Sequence, residues 1–120
     1  MTVTLSLVIP CGAGDEAALH RLLASIDRQS FPKAQLEVLI ERDGNSEEAK
    51  AYGIQRAHGE ILGLLCTDNQ LLGHTFLAEM VEAASRPGVV GAYPAYYAWM
   101  REDPPLNRYF ALLGANDPLC

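Results

Sequence analysis

The chain has 120 residues, a formal net charge of −6 at pH 7, and a composition that is 49% hydrophobic and 20% charged. This composition fits one globular domain and excludes collagen-like and disordered chains, and no apolar run approaches the roughly 20 residues of a membrane helix. The negative charge would repel phosphate backbones, so nucleic acid is not an expected partner.

The cysteines stand far apart, at Cys11, Cys66 and Cys120, with no C-x-x-C pair. An odd number with this spacing argues against a disulfide framework and against a structural zinc site. We therefore expect small buried thiols in a reducing, cytoplasmic location. The first ten residues lack a basic leader and are typical of a strand rather than a signal peptide.

Apolar periodicity predicts strands and helices in alternation. The predicted elements are a strand at 2–9, a helix at 15–28, a strand at 36–40, a helix from Asn45 or Ser46 to about Ala57, a strand at 61–66, a helix at 75–85 and a strand at 89–93. The third strand is almost entirely apolar, which predicts burial on both of its faces. An irregular aromatic stretch and a short helix near 106–113 follow, so we divide the single domain into a βα core at 1–93 and an irregular segment at 94–120.

This alternation predicts an α/β fold of three layers, in which helices cover both faces of a mostly parallel, Rossmann-like sheet. The crossovers must be right-handed, and the simplest arrangement places the first strand centrally, with the second strand on one side and the third on the other. Ligands of open α/β sheets bind where the strand order reverses. The expected site therefore lies just beyond Ile9 and Cys66.

Two aspartates follow strands at this edge. Asp43 lies in the turn after the second strand and could accept hydrogen bonds from a base or a ribose. Asp68 follows the third strand and could bind Mg²⁺ or Mn²⁺, which prefer oxygen ligands and often share them with substrate phosphates. The alternative for the segment 41–46 is a plain turn with helix capping, since Asp, Gly, Asn and Ser are all turn residues, and the alternative for Asp68 is a turn aspartate bound by backbone amides.

A second interpretation is an NAD-type dinucleotide-binding module. The segment 12–17 fits G-x-G-x-x-A between a strand and a helix, with Gly12 and Gly14 in the motif and Glu41 as a ribose ligand. Asp15 and Glu16 weaken it, because they place carboxylates where a pyrophosphate needs the positive end of a helix.

Five strings, in order and covering most of 5–84, resemble glycosyltransferase family 2, whose members have the GT-A fold. They are L-V-I-P at 7–10, L-L-A-S-I-D-R-Q-S-F-P at 22–32, E-V-L-I-E-R-D-G-N-S at 37–46, Y-G-I-Q-R-A-H-G-E-I-L at 52–62 and L-L-C-T-D-N at 64–69. The third resembles the family's strand ending in D-D-G-S, and the last falls where the family has L-D-x-D-D.

The resemblance implies the N-terminal, nucleotide-sugar-binding half of such a transferase. Family members bind a nucleoside diphosphate sugar with Mg²⁺ or Mn²⁺ and transfer the sugar to an acceptor hydroxyl with inversion. The implied nucleotide-binding positions are Pro10, Cys11, Glu16, Asp43 and Cys66, and the implied metal ligand is Asp68. No catalytic residue is implied, because the family's base and acceptor site lie beyond the matched segment.

The sequence also departs from the family. Arg42 replaces the first acid of the D-D-G-S turn, and Cys66 replaces the first acid of D-x-D. Asn45 and Tyr52 are separated by fewer residues than the family has there, so we expect the sheet to lack one edge strand. The residues 114–120 resemble the middle of a domain, so we expect a piece of a longer protein, or a short relative that has lost catalysis, and a chain inactive alone.

A shortened sheet would expose an edge or an apolar face, which predicts self-association as a dimer or by domain swapping. The resemblance is also compatible with peripheral membrane association of a full-length parent. A third interpretation is a non-catalytic interaction domain, in which an acidic surface and the aromatic residues Tyr93, Tyr96, Tyr97 and Trp99 anchor a partner. The alternative for these aromatic residues is that they cover the sheet.

Overall fold

A computed structural model describes residues 2–94 of the chain. The elements of this part are β1 (Leu5–Pro10), α1 (Glu16–Asp27), a 3-10 turn (Lys33–Gln35), β2 (Leu36–Glu41), α2 (Ser46–Arg56), β3 (Ile61–Leu64) and α3 (Phe76–Ala84). The chain divides into two compact units, Met1–Glu82 and Ala83–Cys120. The first unit holds the whole sheet, α1 and α2, and most of α3.

The three strands form one parallel sheet in the order β2-β1-β3. Leu5 of the central strand lies opposite Leu36 on one side and Ile61 on the other. This arrangement confirms the predicted α/β class and the predicted strand order. A central strand of a parallel sheet has both faces covered, and the five residues Leu5 to Ile9 are all buried.

Alternate residues of β1 face two different layers. Leu5, Leu7 and Ile9 belong to a buried cluster with Leu22 of α1 and Leu77 of α3. The residues between them, Ser6 and Val8, lie on the opposite face, because successive side chains of a strand point to opposite sides. α2 packs over β1 and β2 on that face. Helices therefore flank the sheet on both sides.

Close contact between α2 and β1 depends on a glycine. Gly53 is buried in the middle of α2, and a Cβ atom there would lie 2.3 Å from Cγ1 of Val8. The backbone of the helix thus rests directly on the strand. At its start, Asn45 Oδ1 accepts a hydrogen bond from Glu48 N, and the Glu48 side chain accepts one from Asn45 N. This capping box selects Asn45 over Ser46 as the N-cap.

Glu37 links three segments near the start of the sheet. Its Oε1 accepts hydrogen bonds from His58 N at 2.9 Å and from Ser6 Oγ at 2.7 Å, and its Oε2 lies 2.8 Å from His58 Nδ1. Ser6 Oγ in turn accepts a hydrogen bond from Gly59 N. The backbone N–H of His58, its ring and the Ser6 hydroxyl together lower the pKa of Glu37 to about 2 from its ordinary 4.5.

The predicted burial of both faces of β3 is wrong. Leu62 and Leu64 are 43% and 53% exposed, and the strand alternates between half-buried and exposed residues. These two leucines share a face with Ser6 and Val8 of β1, on the side of α2. Because α2 packs mainly over β1 and β2, the apolar side chains of β3 on this face stay accessible.

The predicted strand at 89–93 is also wrong, since residues 89–94 are irregular and Val90 is fully exposed. Two valines favour a strand only where a partner and a covered face are present, and Gly91 and Pro94 both disfavour one. Tyr93 is exposed, whereas the predicted helix at 106–113 and the aromatic residues Tyr96, Tyr97 and Trp99 lie outside the described residues.

Within 2–94 no helix is long and apolar enough to cross a membrane.

Replacing Gly53 by alanine tests the contact between α2 and β1. Overpacking against Val8 should cost about 1–3 kcal/mol of the free energy of unfolding, more than the roughly 1 kcal/mol that alanine gains over glycine inside a helix. Urea unfolding measures the difference. The control is Gly91→Ala, where an added Cβ meets nothing within 4 Å. Combination with Val8→Ala should relieve the clash, and a purely additive double variant would contradict the contact.

The Glu37 cluster predicts a specific acid sensitivity. Because the folded-state pKa of Glu37 lies below its unfolded value, the carboxylate stabilises the fold above pH 4.5. This contribution should disappear as the pH falls from 4.5 to about 2. Urea unfolding at a series of pH values should show Glu37→Gln less stable than wild type at pH 7, with the gap narrowing through this range. A gap that does not change with pH would contradict the prediction.

Candidate functional site

The carboxyl ends of the three parallel strands meet at one edge of the sheet. Cys11 follows β1, Arg42 and Asp43 follow β2, and the segment 65–68 follows β3. Neighbouring strands lie about 4.8 Å apart, so β2 and β3 flank the end of β1 at roughly 10 Å from each other. The structure thus brings the predicted positions to the same edge.

The end of β1 is tied to β2 by the backbone. Pro10 is half-buried, and Cys11 N donates a hydrogen bond to Glu41 O at 2.9 Å. The Cys11 side chain belongs to the hydrophobic core and is only 4% exposed. Burial raises the pKa of the Cys11 thiol, and the nearby Glu16 carboxylate raises it further. Cys11 is therefore an unreactive core residue beneath the edge, as expected, whereas the expectation of a buried thiol is wrong for Cys66, which is exposed.

Glu16 and Arg42 form an ion pair across this edge. Arg42 Nε and Nη2 donate to the two carboxylate oxygens of Glu16 at 3.2 and 3.1 Å, and both side chains are about half exposed. The sequence identified Arg42 as a replacement of a family acid but did not predict this pairing. Because Glu16 is engaged by Arg42, a ligand that contacts Glu16 must share it with the guanidinium or displace it.

The structure counts against the dinucleotide alternative. Asp15 Oδ2 accepts the hydrogen bond of Gly12 N at 3.1 Å, so the first amide of the glycine loop already faces a carboxylate. Glu41 is buried and accepts hydrogen bonds from Arg56 Nη1 at 2.8 and 3.1 Å. A dinucleotide would need the start of α1 free of acidic side chains for its pyrophosphate, and a free Glu41 carboxylate for its ribose hydroxyls.

Asparagines, rather than the two aspartates, close the turns at this edge. Asn69 Oδ1 accepts a hydrogen bond from Cys66 N at 2.8 Å, and Asn69 N donates to Cys66 O. Asn45 caps α2. Asp43 and Asp68 are exposed, and within 2–94 neither carboxylate takes part in a hydrogen bond or an ion pair. The alternative of a turn with helix capping is confirmed for the segment 41–46 through Asn45, whereas no contact within 2–94 gives either aspartate carboxylate a structural role.

A metal at this edge would have few protein ligands. Within 2–94 no three His, Cys, Asp or Glu side chains come close enough together to hold a metal ion. Mg²⁺ is often held by one or two carboxylates, with phosphate oxygens and water as its other ligands. The single accessible carboxylate of Asp68 thus fits a cation that arrives with a diphosphate, and does not fit a permanently bound ion.

Comparison with protein-family models and with the curated proteins finds no match to this chain. The resemblance to glycosyltransferase family 2 therefore depends on the quoted strings.

The two described cysteines should differ in reactivity. Iodoacetamide attacks the thiolate, so we expect exposed Cys66 to be alkylated at least about tenfold faster than Cys11, which is buried and has a raised pKa. Peptide mass spectrometry after timed labelling at pH 8 measures both rates. In denaturant the two rates should become similar. Equal rates in the folded chain would show that Cys11 is not part of the core.

Proposed function

We propose that this chain binds the nucleoside diphosphate portion of a nucleotide sugar, as a donor-binding domain of the GT-A, glycosyltransferase family 2 type. One observation carries the proposal. Asp43 and Asp68 follow the two strands that flank β1, and both are exposed carboxylates without a partner in the described part of the chain. Accessible carboxylates at the carboxyl edge of a parallel sheet are suited to ligand binding.

The two aspartates have different roles in this proposal. Asp43 accepts hydrogen bonds from the base or the ribose hydroxyls, and Asp68 is a ligand of the cation bound to the diphosphate. Their separation on opposite sides of β1 suits a ligand whose nucleoside and diphosphate ends need different partners. Pro10 lies between them at the end of the central strand.

Electrostatics explain why a cation is needed. Asp15, Glu16, Asp43 and Asp68 carry negative charge at this edge, and the guanidinium of Arg42 is already paired with Glu16. A bare diphosphate would be repelled, whereas its complex with Mg²⁺ or Mn²⁺ carries less negative charge. Donor binding should therefore depend strongly on the divalent ion.

In the proposed transfer, an acceptor hydroxyl attacks the anomeric carbon of the sugar and the nucleoside diphosphate leaves. The bound cation supplies charge stabilisation for that leaving group. A general base must remove the proton of the acceptor hydroxyl. We assign that role to no residue within 2–94, so binding rather than turnover is the activity to test.

Calorimetric titration of the chain with UDP tests the proposal. Wild type should bind UDP in the presence of Mn²⁺ and lose this binding when EDTA is added. Asp68→Asn should weaken the Mn²⁺-dependent affinity by roughly 10- to 100-fold, since a metal ligand is lost. Cys66→Asp should strengthen it, since a second carboxylate is provided. The matched control is Glu60→Gln, which removes an exposed acid at the opposite end of β3.

The results separate the competing functions. Failure of both wild type and Cys66→Asp to bind UDP with Mn²⁺ would overturn the proposal. Tighter binding of NAD than of UDP would favour the dinucleotide alternative instead. An equal effect of Asp68→Asn and Glu60→Gln would show that net charge, rather than a metal ligand, governs the affinity.

A further inference from the structure

The segment 65–75, which joins β3 to α3, contains no helix or strand and carries Asp68. Its backbone makes one bond to the central strand, from Leu65 N to Val8 O at 3.1 Å, and otherwise closes a local turn between Cys66 and Asn69. A segment of this kind keeps one conformation only if neighbouring elements bind it.

Two polar side chains at the end of α1 bind the rest of the segment: Ser25 lies in the last turn of the helix, and Gln29 lies just beyond its end. Ser25 Oγ accepts a hydrogen bond from Leu71 N at 3.1 Å. Gln29 Nε2 donates to Gly73 O at 2.9 Å, and Gln29 Oε1 accepts from Leu77 N at 3.0 Å. One amide group thus joins the end of the segment to the first turn of α3. The Ser30 backbone adds a further bond, from its N–H to His74 O.

Two of these bonds, to Leu71 N and to Leu77 N, are shielded from water. Ser25 is fully buried and Gln29 is 6% exposed, and both Leu71 and Leu77 lie in the hydrophobic core. Buried backbone groups that lose their partner cannot be satisfied by solvent, so removal of such a side chain leaves the segment with unpaired groups. The Ser25 hydroxyl is itself oriented by donation to Leu22 O.

The sequence contains a signal for this role. Leu22, Ser25, Ile26 and Gln29 have the spacing of one helix face in the sequence, and Gln29 lies two residues beyond the end of α1. Two polar residues thus stand where the periodicity would place apolar ones. A polar residue at such a position must find a partner in the interior. Here the partner is the segment that carries Asp68.

We propose that Gln29 and Ser25 are positioning residues, which fix the segment 65–75 against α1 and so determine where Asp68 lies at the carboxyl edge. The role of Asp68 in metal binding rests on the proposed function. The anchoring of the segment does not, and the two parts can be tested separately.

The test compares Gln29→Met, which keeps the length of the side chain and removes its amide, with the control Gln55→Met on the exposed face of α2. Amide hydrogen exchange is followed by NMR, with the β1 amides as an internal standard. Gln29→Met should speed exchange at Leu77 and through the segment at least tenfold and leave β1 within twofold of wild type. It should also shift the Asp68 amide resonance. Ser25→Ala should speed amide exchange mainly at Leu71. If Gln29→Met does not fold, Ser25→Ala serves as the test variant.

The second measurement is UDP binding over a series of Mn²⁺ concentrations. Gln29→Met should raise the Mn²⁺ concentration for half-maximal UDP binding severalfold and leave any metal-free binding of UDP unchanged. General destabilisation of the fold would instead weaken UDP binding both with and without Mn²⁺. Unchanged exchange and an unchanged Asp68 resonance would overturn the proposal, as would altered exchange with an unaltered Mn²⁺ dependence. If wild type binds no UDP, the proposed function fails, and the exchange rates and the Asp68 resonance alone decide the anchoring.

Discussion

Burial of the central strand on both faces is the constraint from which the rest of the structure follows. Because β1 is enclosed, its backbone N–H and C=O groups must be paired within the protein, and β2 and β3 provide these partners on its two sides. Parallel pairing then requires helical crossovers, which cover the faces of the sheet. The same pairing brings the ends of three strands to one edge, where Asp43 and Asp68 lie.

The two carboxylates that lie in the sheet, Glu37 and Glu41, each have definite partners. Glu37 binds His58 and Ser6 near the start of the sheet, and Glu41 binds Arg56 beneath α2. A buried carboxylate is tolerated only when it is paired in this way. The acids of the chain are thereby divided into those that hold the structure together and those that remain accessible. This division gives Asp43 and Asp68 their weight as candidate ligand-binding residues.

Much of the fold could be predicted because the pattern of apolar residues reflects local geometry. The three helices and three strands within 2–94 begin and end close to their predicted bounds. The order β2-β1-β3 is the simplest arrangement in which right-handed crossovers place helices on both faces of the sheet. The errors concern strands at the limits of the sheet. The composition of 61–64 resembles a fully buried strand, yet burial depends on whether a helix reaches it. The Val89–Val90 pair favours a strand for the same compositional reason and forms none.

The sequence by itself determined the element order, the parallel sheet and the edge at which chemistry could occur, since these depend on periodicity and on the handedness of connections. Only the tertiary structure decided which side chains at that edge are engaged. Arg42 pairs with Glu16, and Gln29 with Gly73 and Leu77, over separations of 26 to 48 residues. No local pattern encodes such pairs, because they depend on the distance between the backbones of separate elements once the core is packed.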